Sequence, residues 1–417
     1  PKGQSETYYG AAFDLLAAPS RPIVGVVRDK DTGKPLAGVT IESRGIGNGF
    51  FALHRTTTDK DGRYRLEGMP KRDGNEIAAT TKELPYLSAV EKVPNTPGLG
   101  PIAVDFALKR GVLVKGRVTD KNTGKPLLAR IDYFCFEDNP RAKEIARLGE
   151  TNNWRSSVVD GSFRIPVLPG HGLIAVRAYH DHYVRSDGID KIKGPRHRGL
   201  NDVFRTIPIC FAVNYHTLVE IDPKPGEESI TCDVTLDPGR TLKGTVLGPD
   251  GKPLTGVRIS RLKAMSWWED GGAEFTVESL KPNQPRLLQF RHEGQKLSGY
   301  LVVRGDEKGP LQVRLKPWGA LTGRIVTPLG NPLTSVCVNC RAEVKHEGQT
   351  LSSYALTVYP DKHGRFRIEG LIAGVKYELD VSKANVLQTI SSGNPKDLTV
   401  KPGETKDLGD LTVKPME

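Results

Sequence analysis

The sequence predicts an all-β chain built from four tandem β-sandwich domains. Three observations lead there. One strand–turn–strand phrase recurs four times, and each copy is followed in the same order by two further strand elements. The 45 glycines and 30 prolines of the 417 residues are spread along the chain rather than clumped, as many short turns require.

The first element reads GVVRDKDTGKPLAGV at 25–39, GRVTDKNTGKPLLAR at 116–130, GTVLGPDGKPLTGV at 244–257 and GRIVTPLGNPLTSV at 323–336. Alternating apolar residues, such as Val24 and Val26 or Val112 and Val114, predict an opening strand. An Asp/Asn-Gly step then turns the chain, with glycine at the left-handed position. The Lys-Pro-Leu or Asn-Pro-Leu that follows sits where a missing N–H costs nothing, and a second strand begins at Gly38-Val39 or Gly256-Val257.

The second element is DKDGRYRLEGM at 59–69, DGSFRIPVLPG at 160–170, EFTVESLKPN at 274–283 and DKHGRFRIEGL at 361–371. A tight Asp-Gly turn leads into alternating Tyr64/Leu66, Phe163/Ile165 and Phe366/Ile368, and only the third copy lacks the turn residues. The third element is VDFALKRG at 104–111, CDVTLDPG at 232–239, LQVRLKPWG at 311–319 and LGDLTVKP at 408–415. These closing strands set the boundaries: sandwich 1 at 21–110, sandwich 2 at 111–239 with insertions at 135–158 and 180–216, sandwich 3 at 240–319 and sandwich 4 at 320–417. Each closing strand reaches the next opening strand within about four residues, so a semi-rigid rod is expected.

Residues 1–20 parallel 103–116 and read as the closing strand of a preceding repeat, with Pro1 internal to a longer precursor; a donor strand for another subunit is the alternative. In sandwich 2, Asp138-Asn139-Pro140 followed by Arg141 to Leu148 predicts a short capped helix.

A formal charge of +11 favours acidic partners, anionic polysaccharide or glycan among them. The basic residues lie inside turn phrases rather than on one face beside stacking aromatics, so no nucleic-acid partner is expected. No apolar run reaches the ~18–20 residues of a membrane span.

Residues that carry chemistry are sparse. Tyr179-His180-Asp181-His182-Tyr183 would put His180 and His182 on one strand face, with His197 and His216 as a third metal ligand; hydrogen bonding in a polar loop is the simpler reading. The acidic turns at Asp29, Asp59 and Asp361 offer too few oxygens for calcium, and capping of their own backbone explains them. Trp267 and Trp268 form a candidate ligand surface, set against packing in a core or between domains. Of Cys135, Cys210, Cys232, Cys337 and Cys340, the last two form a C-x-x-C on a strand, where residues three apart face opposite sides, so buried thiols are expected and no cofactor. No hydrolase elbow, zinc-protease motif, P-loop or dinucleotide fingerprint occurs, and no enzyme is expected.

The motifs G-x-V-x-D-x-x-T-G-K-P-L-x-G-V at 25–39 and D-x-x-G-x-[FY]-x-[IL]-x-G-[LM] at 59–69 and 361–371 resemble the carboxypeptidase regulatory-like domain family, whose fold is a prealbumin-like (transthyretin-like), Ig-like sandwich. The resemblance covers nearly the whole chain as four units and implies a non-catalytic accessory, adhesive or spacer module of secreted or envelope proteins. Three readings follow. The first is a non-catalytic structural or interaction protein of the cell envelope or exterior, a spacer, adhesive or filament-forming rod that associates with other domains or subunits of its own kind. The second is a ligand- or glycan-binding part of a larger membrane peptidase or sensor. The third is an enzyme with its site in 135–216.

Overall fold

The computed structural model describes residues 19–44, 54–81, 84–136, 139–142, 154–180, 182–186, 215–264, 266, 268–282, 284–352, 356–383 and 398–413. They divide into two compact units: the first draws on Pro1–Val114, Arg164–Pro169 and Pro223–Ile230, the second on Lys115–Phe163, Gly170–Asp222 and Thr231–Glu417.

Four pairs of sheets follow one plan. In sandwich 1, Ile23–Asp29 lies antiparallel to Arg63–Leu66 and parallel to Ile102–Ala103 and Phe106–Leu108. Its second sheet runs Arg55–Thr57, Thr40–Arg44, Glu76–Thr80, Ala89–Lys92. In sandwich 2 the strand Val112–Asp120 takes the central place between Ser162–Val167 and the pair Ser229–Thr231 and Val234–Leu236; its other sheet runs Trp154–Ser156, Ala129–Cys135, Gly172–Ala178, Thr217–Ile221.

Sandwich 3 centres Arg240–Leu247 between Glu274–Leu280 and Leu311–Arg314, facing Trp268–Gly271, Val257–Ser260, Arg286–His292, Leu297–Val303 and Lys316–Pro317. Sandwich 4 centres Gly319–Val326 between Arg365–Leu371 and Thr405–Thr412, facing Val336–His346, which pairs with Gln349–Ser352, Leu356–Val358 and Lys376–Lys383. In each, the closing strand runs parallel to the opening one, and the inward alternating residues make the core: Ile23, Val27, Tyr64 and Phe106 in the first, Ile325, Val338, Phe366 and Leu379 in the fourth.

The repeated phrases become repeated hydrogen bonds. Pro35, Pro126, Pro253 and Pro332 each bridge back to the opening strand, at Arg28, Thr119, Leu247 and Val326. The bonds flanking each proline belong to its neighbours: Asp29 N–H to Lys34 O and Leu36 N–H to Val27 O in the first copy, Thr327 N–H to Asn331 O and Leu333 N–H to Ile325 O in the last. Proline is thus harmless there, as its missing N–H had no partner to lose.

The glycine within each opening strand has a reason the sequence did not display. Gly25 lies opposite Tyr64, Gly244 opposite Phe275 and Gly323 opposite Phe366. A Cβ on Gly25 would lie 2.0 Å from Val104 O and 2.9 Å from the Tyr64 ring; on Gly116 it would lie 1.9 Å from Cys232 O and 2.8 Å from the Phe163 ring. Each aromatic ring therefore lies over a glycine, and the absent side chain is part of the packing.

The third hairpin, without its Asp-Gly turn, still closes. Ala273 O accepts the Val246 N–H, in the place where Gly62, Gly161 and Gly364 accept from Val27, Val118 and Ile325. The capped helix expected at Arg141–Leu148 lies mostly outside the described residues, although Asn139 Oδ1 does accept the Arg141 N–H at 2.9 Å. The strand expected within 1–20 likewise falls outside them, apart from Pro19 and Ser20, where Ser20 bridges antiparallel to Pro70.

Candidate functional site

The described residues among those singled out for chemistry are held by different elements and are not gathered into one centre. His180 and His182 do not share a strand face, because the strand Gly172–Ala178 ends before them and a bend follows. Their ring centroids stand 6.3 Å apart, and His182 Nδ1 meets Glu278 Oε2 of sandwich 3. His216 is buried, its Nδ1 accepting the Ala178 N–H at 3.0 Å and its ring set edge-on to Tyr183 at 5.8 Å. Burial, then the neighbouring Arg177 and Arg185, bring its pKa down to about 3, so the ring is neutral and structural. His197 lies outside the described residues, and among those described no three His, Cys, Asp or Glu side chains group as a metal site.

The acidic turns use their carboxylates on their own backbone. Asp29 Oδ1 accepts the Asp31 and Thr32 N–H groups, both at 2.8 Å, and Oδ2 accepts the Tyr86 hydroxyl at 2.7 Å. Burial alone would raise the Asp29 pKa; the Tyr86 hydroxyl and the turn amides outweigh it, and the pKa falls. The same arrangement recurs in sandwich 2, where Asp120 takes the Asn122 and Thr123 amides on one oxygen and the Tyr183 hydroxyl on the other.

Cys135, Cys232, Cys337 and Cys340 are free thiols, and Cys210 lies outside the described residues. On strand Val336–His346 the two cysteines do face opposite ways. Cys340 is buried, which pushes its thiol up to about 12, whereas the half-buried Cys337 contacts Ser382 Oγ at 3.0 Å.

Trp268 leads to the most built feature of the chain, the junction of sandwiches 3 and 4. Trp267 is outside the described residues. Trp268 starts a short edge strand opposite Ser260, and the Arg291 guanidinium sits 5.7 Å from its ring centre and 5.5 Å from that of Trp318. Arg291 Nη2 then donates to Glu369 O of sandwich 4 at 2.8 Å. The guanidinium lies over Gly370, where a Cβ would come within 1.5 Å of Nη2; with φ at +77°, that position suits glycine twice over.

Around this clamp the two sandwiches share substance. Leu287 of sandwich 3 is a member of the core of sandwich 4, and Val302 packs against the same cluster. Ser298 Oγ donates to Leu371 O at 3.1 Å, and Arg304 Nη1 pairs with Glu347 Oε1 at 2.6 Å. Trp268 was legible in the sequence, whereas Arg291, Trp318 and Gly370 lie 27 to 79 residues apart and carry no local motif.

Comparison with known proteins bears on the first repeat most directly. Residues 22–109 match the family model of the carboxypeptidase regulatory-like domain. The matched stretch coincides with sandwich 1 and contains the Gly25–Tyr64 pair and the Asp29 turn. No curated protein matches the chain. Among solved structures the chain is similar to a streptococcal ancillary pilin, at 8% identity and a TM-score of 0.21, covering 95% of this chain and 99% of that one. It is similar to the TIE protein of Bacillus anthracis at 11% and 0.19, covering 96% and 76%. It is also similar to the shaft pilin SpaA of Lactobacillus rhamnosus GG at 13% and 0.19, covering 53% and 98%.

Proposed function

We propose that this chain is a non-catalytic structural and interaction protein of the cell envelope or exterior, in which tandem sandwiches hold a spacing or present an adhesive surface. The observation that carries the reading is the junction just described. A Leu287 side chain placed in the next sandwich's core and an arginine locked between two indoles are features of a joint that keeps one geometry. The regulatory-like match of residues 22–109 supports an accessory role, and the boundaries 21–110, 111–239, 240–319 and 320–417 remain the proposed domain limits. Association with further copies or domains of the same kind, through residues 1–20, belongs to the same proposal.

The test is a glycan array and a hydrolase substrate panel run on the purified protein, beside negative-stain imaging. The structural reading expects neither turnover nor glycan capture, and particles of one recurring outline. Glycan capture lost on Trp268→Ala would favour the ligand-binding reading instead. Turnover lost on His182→Ala would favour an enzyme.

A further inference from the structure

We propose that the crevice beside Arg291 is a binding site for a small monovalent anion, a halide or a carboxylate of formate size. This inference is independent of whether the chain is a spacer. The crevice is lined by Arg291, Trp268, Gln289, Tyr377 and Gly370 among others, and has room for a water-sized guest.

Its polar lining is made of donors. Arg291 Nε is buried and has no hydrogen-bond partner among the described residues. The Tyr377 hydroxyl already accepts the Ile372 N–H at 2.7 Å, which leaves its proton to be donated. The Gln289 amide can donate as well.

The charge of Arg291 is poorly compensated. Its side chain is 18% exposed, and the nearest carboxylate, Glu293 Oε1, is 3.9 Å from Nη1 and itself 57% exposed. Glu369 hydrogen-bonds through its carboxylate to Arg367, accepts from Arg291 through its backbone carbonyl, and reaches the Arg291 charge only at longer range. Arg258 adds a second positive charge from the adjoining strand, where it opposes Arg291 in register and pairs with Asp270 at 3.5 Å. Arg21, also largely buried, is by contrast fully engaged. Arg21 gives Nε, Nη1 and Nη2 to Gly100 O and Thr96 at 2.7–3.2 Å. A buried cation with an unused N–H, a free hydroxyl proton and a deficit of negative charge is the chemistry of an anion site.

The intact protein is to be unfolded thermally while sodium chloride, bromide or formate replaces gluconate at constant ionic strength, and crystals grown in bromide are to be measured at the bromine edge. The proposal expects a saturable rise in Tm. At ten times the dissociation constant, the folded-to-unfolded ratio grows about elevenfold. It expects the rise to vanish in Arg291→Gln, and an anomalous peak at hydrogen-bond distance from Arg291 Nε. A rise with formate alone assigns the site to a carboxylate, and one with the halides assigns it to a spherical ion. Should Arg291→Gln fail to fold, the wild-type titration and the bromide map decide alone. A peak without an ion-specific rise, meaning an adventitious ion only, overturns the proposal, as does a flat titration with water at Nε.

Discussion

At the scale of single residues, two glycines of the same repeat separate steric need from conformational need. Gly25 has an aromatic ring and a carbonyl where a Cβ would go, whereas Gly33, at φ +69°, has open space around it. Gly25→Ala should cost about 3 kcal/mol or more, since backbone has to move to admit the methyl. Gly33→Ala should cost only the left-handed penalty of about 1–2 kcal/mol. Urea midpoints of the two variants check the order. His216 makes a pH prediction. Its folded pKa of about 3 lies below the ordinary 6.5, so the neutral ring favours the native state above pH 6.5, and that stabilisation is lost as pH falls from 6.5 towards 3. The expected slope from this group is about 1.4 kcal/mol per pH unit within that window. His216→Gln, which keeps an acceptor for the Ala178 amide, should flatten stability measured between pH 6.5 and 4 by that amount.

At the scale of elements, the turn at Asp29 needs no metal, because its two carboxylate oxygens already accept two amides and a hydroxyl. EDTA should therefore leave Tm unchanged, while Asp29→Ala should lower stability by about 1–3 kcal/mol, chiefly through the buried Tyr86 hydroxyl left without its acceptor. A Tm drop of some ten degrees with EDTA would contradict this. These elements are also where the sequence was most legible. A turn is a local event, so Asp, Gly and Pro at fixed offsets announced the bridges at Pro35, Pro126, Pro253 and Pro332. The glycine–aromatic pairs were half visible: both motifs were readable, but their meeting depends on antiparallel register across 39 residues, as Gly25 with Tyr64. The premise that His180 and His182 share a strand face failed because the strand stops at Ala178, and nothing local marks that end.

At the scale of the second compact unit, the stiffness proposed for the joint of sandwiches 3 and 4 rests on side chains passed between them. The sequence reading traced it to short linkers, since those could be counted, whereas Leu287 entering a neighbouring core and Arg291 reaching Glu369 are tertiary facts. Gly370→Ala tests the clamp: the new methyl would expel Arg291 from between Trp268 and Trp318. The loss should be about 2–3 kcal/mol, combining the left-handed penalty with the lost cation–π contact. Whether the joint keeps one geometry is read from a distance measured across it. Nitroxides placed at Lys252→Cys on sandwich 3 and Lys401→Cys on sandwich 4, in a Cys210→Ser and Cys337→Ser background, would be read by double electron–electron resonance. A joint of one geometry gives one narrow distance distribution that broadens in Gly370→Ala; a broad distribution in the otherwise unaltered protein would contradict it.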